Sequence, residues 1–232
     1  MQRKTRWVGA GLTLLVSTVA NAAIISSDFS ADDGGWIGLT FSSSTVPDFN
    51  ATPKTAFPVV HSAVGGNPGG FVSFKDPDTL WSYFLAPSQY TGNQSAMLDG
   101  SLSFSLQHEI GVGGALFDVG QPHVALQSGT TVLVLDAGDP PALTPDWRAY
   151  SALLNETAGW KVGTLTGAAA TRQQLQQVLG SLDALYVAAE FVSPVTETTG
   201  LDSVTLSSPV PVPPALYGFG AALLWLRRRR KI

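Results

Sequence analysis

Between Ile24 and Ser207 the apolar residues come in short runs, several alternating with polar residues, and Gly, Pro, Asn and Asp fill the gaps. This pattern predicts β-strands near 36–41, 71–75, 81–85, 100–107, 123–127, 130–135, 147–153, 185–192 and 203–206. The run Ser101-Leu102-Ser103-Phe104-Ser105-Leu106 alternates at every position, as a strand with one buried and one wet face does. Gln127-Ser128-Gly129-Thr130 predicts a hairpin turn between two apolar strands. A helical period occurs over 172–179, where Leu175, Val178 and Leu179 fall at i, i+3 and i+4. Thr171 supplies its N-cap, Gln174 completes a capping box, and Gly180 follows as a stop. The stretch 47–70 has little pattern and is rich in Gly, Pro, Ser and Thr, so a long loop is expected there. Short strands with one short helix predict an all-β fold, an antiparallel β-sandwich of jelly-roll topology with the helix over one edge.

The two ends follow different rules. Arg3, Lys4 and Arg6 precede an uncharged apolar run from Trp7 to Val19, and Ala20-Asn21-Ala22 closes it. The run is about two-thirds of the ~20 residues a bilayer span requires, and its small residues stand at cleavage-site spacing. Residues 1–22 are therefore read as a signal peptide and 23–208 as the folded domain. From 209 the chain reads Pro209-Val210-Pro211-Val212-Pro213-Pro214, an apolar stretch from Ala215 to Leu226, then Arg227, Arg228, Arg229, Arg230 and Lys231. The prolines predict a stiff extended linker, the apolar stretch a short transmembrane helix, and the basic cluster a cytoplasmic stop.

Dividing the chain changes its charge. Of thirteen basic residues, three lie in the leader and five in the tail, leaving five against all seventeen acids, or 5 − 17 = −12 for the middle. Such a body repels polyanions, which excludes nucleic acid as a partner. The chain has no cysteine, so an exported domain must be held by packing and by a structural Ca²⁺ if it binds one.

Candidate chemistry is sparse. Asp28, Asp32 and Asp33 precede the first long strand, Asp76 and Asp78 follow another, and Asp202 precedes the last; antiparallel closure of first on last would bring several together as a structural Ca²⁺ site. The alternative is that Asp32-Asp33-Gly34-Gly35 and Asp76-Pro77-Asp78 are solvated turns. Asp136, Asp139 and Asp146 are the carboxylates available for a glycosidase pair, which would make the protein a glycoside hydrolase or lyase, but Asp139-Pro140-Pro141 reads as a loop. His61, His108 and His123 have no ligand spacing, and neither a G-x-S-x-G elbow nor a phosphate loop occurs. No catalytic residue is assigned. Of the aromatic residues Trp36, Trp81, Tyr83, Tyr90, Trp147, Tyr150 and Trp160, Trp36 after Gly-Gly and Tyr90 in a polar loop are expected at the surface as ligand-binding platforms.

Two resemblances add to this reading. Over 29–207 the chain resembles the laminin IV type A, or laminin B, domain. The resemblance is carried by Trp81-Ser82-Tyr83-Phe84-Leu85-Ala86-Pro87, then Tyr90, Gly92 and Asn93, then Asp99 to Leu106, and by the close Gly200-Leu201-Asp202-Ser203-Val204-Thr205-Leu206. The glycine-rich 111–120 region departs from that pattern, and flanking cysteine-rich modules are missing. The resemblance implies a sandwich like carbohydrate-binding modules and galactose-binding domains, noncatalytic and used in extracellular adhesion or assembly. Its expected partner is extracellular polysaccharide, as in a biofilm, or a surface protein. The tail resembles the PEP-CTERM sorting signal through Pro211, Pro213, Pro214 and Arg227, Arg228, Arg229 and Arg230, with Val212 in place of the namesake glutamate. That resemblance implies a Gram-negative source, an exosortase-type processing protease, transient residence in the inner membrane through the C-terminal helix, and delivery to the cell surface or beyond.

Overall fold

The computed structural model describes residues 22–41, 47–51, 54–78, 80–108, 115–116, 121–193 and 197–210. The expected leader and sorting tail lie outside the described residues. No helix among the described residues is long and apolar enough to cross a membrane.

In chain order the strands are β1 (Ile24–Ser27), β2 (Ile37–Thr40), β3 (Thr55–Pro58), β4 (Val60–Gly66), β5 (Gly69–Lys75), β6 (Ser82–Leu85) and β7 (Ser101–His108). There follow β8 (Ala115–Leu116), β9 (Val124–Ser128), β10 (Thr131–Leu135), β11 (Arg148–Leu153) and β12 (Lys161–Val162), then helix α1 (Arg172–Gly180). Strands β13 (Ala184–Ala188), β14 (Val192–Ser193) and β15 (Thr198–Ser207) complete the domain. One sheet runs β11-β7-β15-β5-β4, with β1 also on β15; the other runs β12-β10-β9-β13-β6-β2-β3, and β8 pairs with β14. Every pairing is antiparallel, and the two main sheets form a β-sandwich.

The alternation in β7 survives into the fold: Leu102, Phe104 and Leu106 are buried, while Ser101, Ser103 and Gln107 are half-buried on the other face. Phe74 of β5 meets Phe84 of β6 edge-on across the sandwich at 6.2 Å. Gly38 makes room for that contact, since a Cβ there would lie 2.3 Å from the Phe74 ring. The β13 run is buried at all five positions because the second sheet is covered on both faces. Phe41 and Phe49 pack on Tyr83 and Tyr186, and α1 lays Leu175, Val178 and Leu179 over β9 and β10.

Helix α1 starts as expected, with the Thr171 side chain accepting from the Gln174 backbone and the Gln174 side chain accepting from the Thr171 N–H. Thr171→Ala is expected to cost about 1 kcal/mol, the usual value of such a cap, or ~2–4 °C in melting temperature for a domain this size. Circular-dichroism melts of the two proteins would measure it. The turn at Gly129 joins β9 to β10 with Thr131 opposite Ser128.

The expected long loop at 47–70 is not one. It contains β3 and β4, and β4 returns on β5 through a hairpin at Asn67 and a cis Pro68. Its serines, glycines and exposed Val60 and Val64 belong to an edge strand, where pairing on one side replaces an alternating pattern. Strand β1 carries no strong apolar signal because it pairs on β15 over only four residues, Ile24 with Ser207 through Ser27 with Val204.

Candidate functional site

Strand β15 positions most of what could act. Along one side it pairs with β7; along the other it pairs with β5 over Thr198–Leu201 and then with β1 over Val204–Ser207. The register shifts between Asp202 and Thr205, with Ser203 at φ +53°. Asp202 therefore sits at the seam where one neighbour hands over to another. Its carboxylate accepts hydrogen bonds from the Asn67 and Ser203 backbone N–H groups, and Asn67 brings the β4–β5 hairpin tip down over it. Burial pushes the Asp202 carboxyl up, those two backbone bonds push it down, and the charge of nearby Asp28 adds to the rise.

Closure of first strand on last brings Asp28 near enough for its charge to act on Asp202. The other expected calcium ligands do not join them as a set. Asp28 accepts from Ser30, Asp32 from the Gly34 N–H at 2.9 Å and Asp33 from the Gly35 N–H at 2.9 Å, each closing its own turn. Asp76 bonds next to Glu197 rather than Asp202, five residues away along β15, or roughly 16 Å at the ~3.3 Å rise of a strand. Among the described residues no three His, Asp or Glu side chains are grouped to hold a metal ion.

At Asp76 a different cluster forms. Asp76, Glu190, Glu197 and His108 are all buried, with Asp78 beside them. Glu197 pairs with His108 at 2.6 Å and accepts from the Phe191 N–H. Glu190 accepts from the Ser82 N–H at 3.1 Å, and the Ser82 hydroxyl donates to Asp76 at 3.0 Å. Burial, reinforced by the neighbouring carboxylates, raises Asp76 to about 6 and Glu190 to about 9, and burial also raises Glu197. Sequence reasoning passed over Glu190, although an acid within the apolar run Ala184 to Val192 was a visible signal.

The expected surface aromatics are core residues. Trp36 is 1% and Tyr90 0% exposed, with ring centroids 5.4 Å apart. Trp36 Nε1 donates to Ser27 Oγ at 3.1 Å, and the Tyr90 hydroxyl donates to the Val204 carbonyl at 3.1 Å and lies 3.0 Å from the same Ser27 Oγ. Glycines before Trp36 and polar residues around Tyr90 are local features; the closure of β1 on β15 buries both rings. Of the seven aromatics weighed from the sequence, Trp147 alone is not buried.

Trp147 lies over the outer face of the first sheet. Its indole N–H donates to the Gly65 carbonyl at 2.9 Å, and its ring meets Phe71 edge-on at 5.4 Å. Below it a Cβ on Gly200 would lie 3.1 Å from Trp147 Cη2 and 2.8 Å from Gln107 Cγ. The result is an open groove of about 460 Å³, whose lining includes Ser62, Phe71, Ser73, Gln107, Thr198 and Gly200.

The remaining candidates are dispersed. Exposed Asp136 lies 3.1 Å from the buried His123 ring, exposed Asp139 pairs with Arg148 at 2.9 Å, and His61 contacts the Phe29 carbonyl at 2.8 Å. Asp146 adjoins Trp147 and is exposed.

A family description, Laminin B (Domain IV), matches residues 83–217, more than half of the chain. The solved L4b domain of human laminin alpha-2 is similar with a TM-score of 0.59 at 14% identity, covering 80% of this chain and 97% of that one. A family 11 carbohydrate-binding module of the cellulosomal cellulase Lic26A-Cel5E of Clostridium thermocellum gives 0.40 at 12% identity, over 84% of this chain and 92% of its own. An exo-beta-agarase gives 0.42 at 12%, over 75% of this chain and 25% of its own. Scores at the level of these last two say nothing about a ligand. No curated protein matches the sequence.

Proposed function

The chain belongs to the laminin B (domain IV) family, and on that premise we propose that it is an exported, noncatalytic adhesion or matrix-binding domain of the cell surface. The single observation that carries the reading is the family match, over a sandwich whose outer face is left open as a groove. Two features agree with it. Among the described residues the groove lining includes no carboxylate, and of the carboxylates weighed for a glycosidase pair Asp136 lies against His123 and Asp139 against Arg148, at separate places. The leader and the Pro, apolar and Arg-rich tail supply the route: cleavage after Ala22, transient insertion through 215–226, and processing by an exosortase-type protease.

The experiment is to express the full chain in its own host with an epitope inserted at the Gly129 turn. Fractionation with intact-mass measurement is expected to give a surface or matrix-associated species lacking residues 1–22 and the arginine cluster. Recovery of a cytoplasmic, full-mass chain would overturn the proposal. Retention in the inner membrane with Arg227–Arg230 intact would overturn the processing step alone.

A further inference from the structure

Of the side chains lining the groove beside Trp147, His108 is buried and turned to Glu197, and four polar ones are left uncommitted. Ser62 on β4, Ser73 on β5, Thr198 on β15 and Gln107 on β7 lie on four adjacent strands. None of these four side chains is hydrogen-bonded within the described residues, whereas Ser105 on the same face is already engaged by Asn67. Three inter-strand steps of ~4.8 Å place these uncommitted groups across about 14 Å. Hydroxyls and a carboxamide donate and accept without charge. Phe71 and Trp147 add half-buried apolar rings beside them. Gly200 keeps the floor low between Gln107 and Trp147, since any side chain there would fill the space. Lys75, two residues beyond Ser73, stands outside the lining, and the −12 charge of the body disfavours an anionic ligand.

We propose that this groove is a ligand site and that its ligand is an uncharged glycan chain. Spaced neutral donors and acceptors match the hydroxyls of linked sugars, and the aromatic rings match the C–H faces of those sugars. A volume of about 460 Å³ falls within the ~300–1,000 Å³ of small-ligand sites. The assignment rests on the surface-binding reading above and adds to it the site and the ligand class.

The test uses the full chain purified in detergent, in affinity electrophoresis through neutral polysaccharides (a β-glucan, a galactomannan, dextran) and through acidic alginate and pectate. Retardation by at least one neutral polysaccharide is expected, weakened tenfold or more by Gln107→Ala, by Ser73→Arg and by Trp147→Ala. Gln107 and Ser73 face solvent, so melting curves within 2 °C of the parent chain are expected for the first two variants and keep the result readable if Trp147→Ala unfolds. Undiminished binding by both solvent-face variants would overturn the site. Retardation by acidic polysaccharides only, or by none of the panel, would overturn the ligand class. In either case surface association of the same variants in the host, measured as above, shows whether the surface reading itself survives.

Discussion

Trp36→Ala is expected to destabilise the domain by about 3–5 kcal/mol, the usual cost of emptying a buried aromatic site, and to lower its melting temperature by on the order of 10 °C. The ring is packed edge-on against Tyr90 and Phe29, and its indole N–H is satisfied by Ser27. Truncation therefore removes packing and takes one donor from a hydroxyl that also meets Tyr90 and accepts from Gln89. Because Ser27 is the last residue of β1, the loss falls on the closure of first strand on last. Trp36→Phe restores most of the ring contact without the donor and is expected to lie between the two. Thermal melts distinguish this from a surface platform, whose loss would weaken ligand binding and leave the melting temperature unchanged.

Stability is expected to fall as pH rises from about 5 to 9. Glu190 has an ordinary carboxyl value of 4.5 and is raised to about 9 in the fold, and Asp76 moves from 3.8 to about 6. Between the unfolded and folded values the native state holds a proton that the unfolded chain has released, so each step up in pH favours unfolding. The contribution is complete below the unfolded values and is lost as pH passes through the folded ones. The groups facing Glu190 are Asp76, Asp78 and Glu197, with His108 bound to Glu197; no lysine or arginine offsets them among the causes of its shift. At about 1.4 kcal/mol per unit of pKa, the change is on the order of a few kcal/mol. Melting temperatures at pH 5.5 and pH 8.5 should differ by roughly 10 °C. Glu190→Gln keeps an acceptor for the Ser82 N–H, removes the charge, and should flatten most of that dependence while melting higher than the parent at pH 8.5. Equal melting at the two pH values would show that these carboxylates remain ionised and solvated in the native protein.

Local patterns were legible wherever one side of a segment meets water. The alternation of 101–106 predicts β7 and its inward face, Thr171 and Gln174 predict the start of α1, and Gly129 predicts the turn between β9 and β10. Each depends on neighbours within a few residues, through pleat, cap or turn chemistry. Strands β3 and β4 were not legible, since edge strands rich in Gly and Ser resemble loops until their partners are known.

The candidate site was the least legible part. Trp36, Tyr90 and Trp147 are aromatic residues in polar local surroundings, and sequence neighbours rank them differently from the fold. Their exposure depends on strand pairings far along the chain: β1 on β15 covers the first two, and the β4–β5 hairpin leaves Trp147 spanning from Gly65 to Gly200. The same holds for the carboxylates, because Asp76, Glu190 and Glu197 come from separate strands and their ends, and register alone brings them together. By itself the sequence determined the fold class, the strand and helix signals and the charge division, all of which rest on composition and short-range periodicity, and its motifs at 81–106 and 200–206 carried the family resemblance. Which aromatics face solvent, which acids share a buried space, and where four uncommitted polar side chains line up were decided by the tertiary structure, because exposure and proximity follow from non-local pairing that no local pattern encodes.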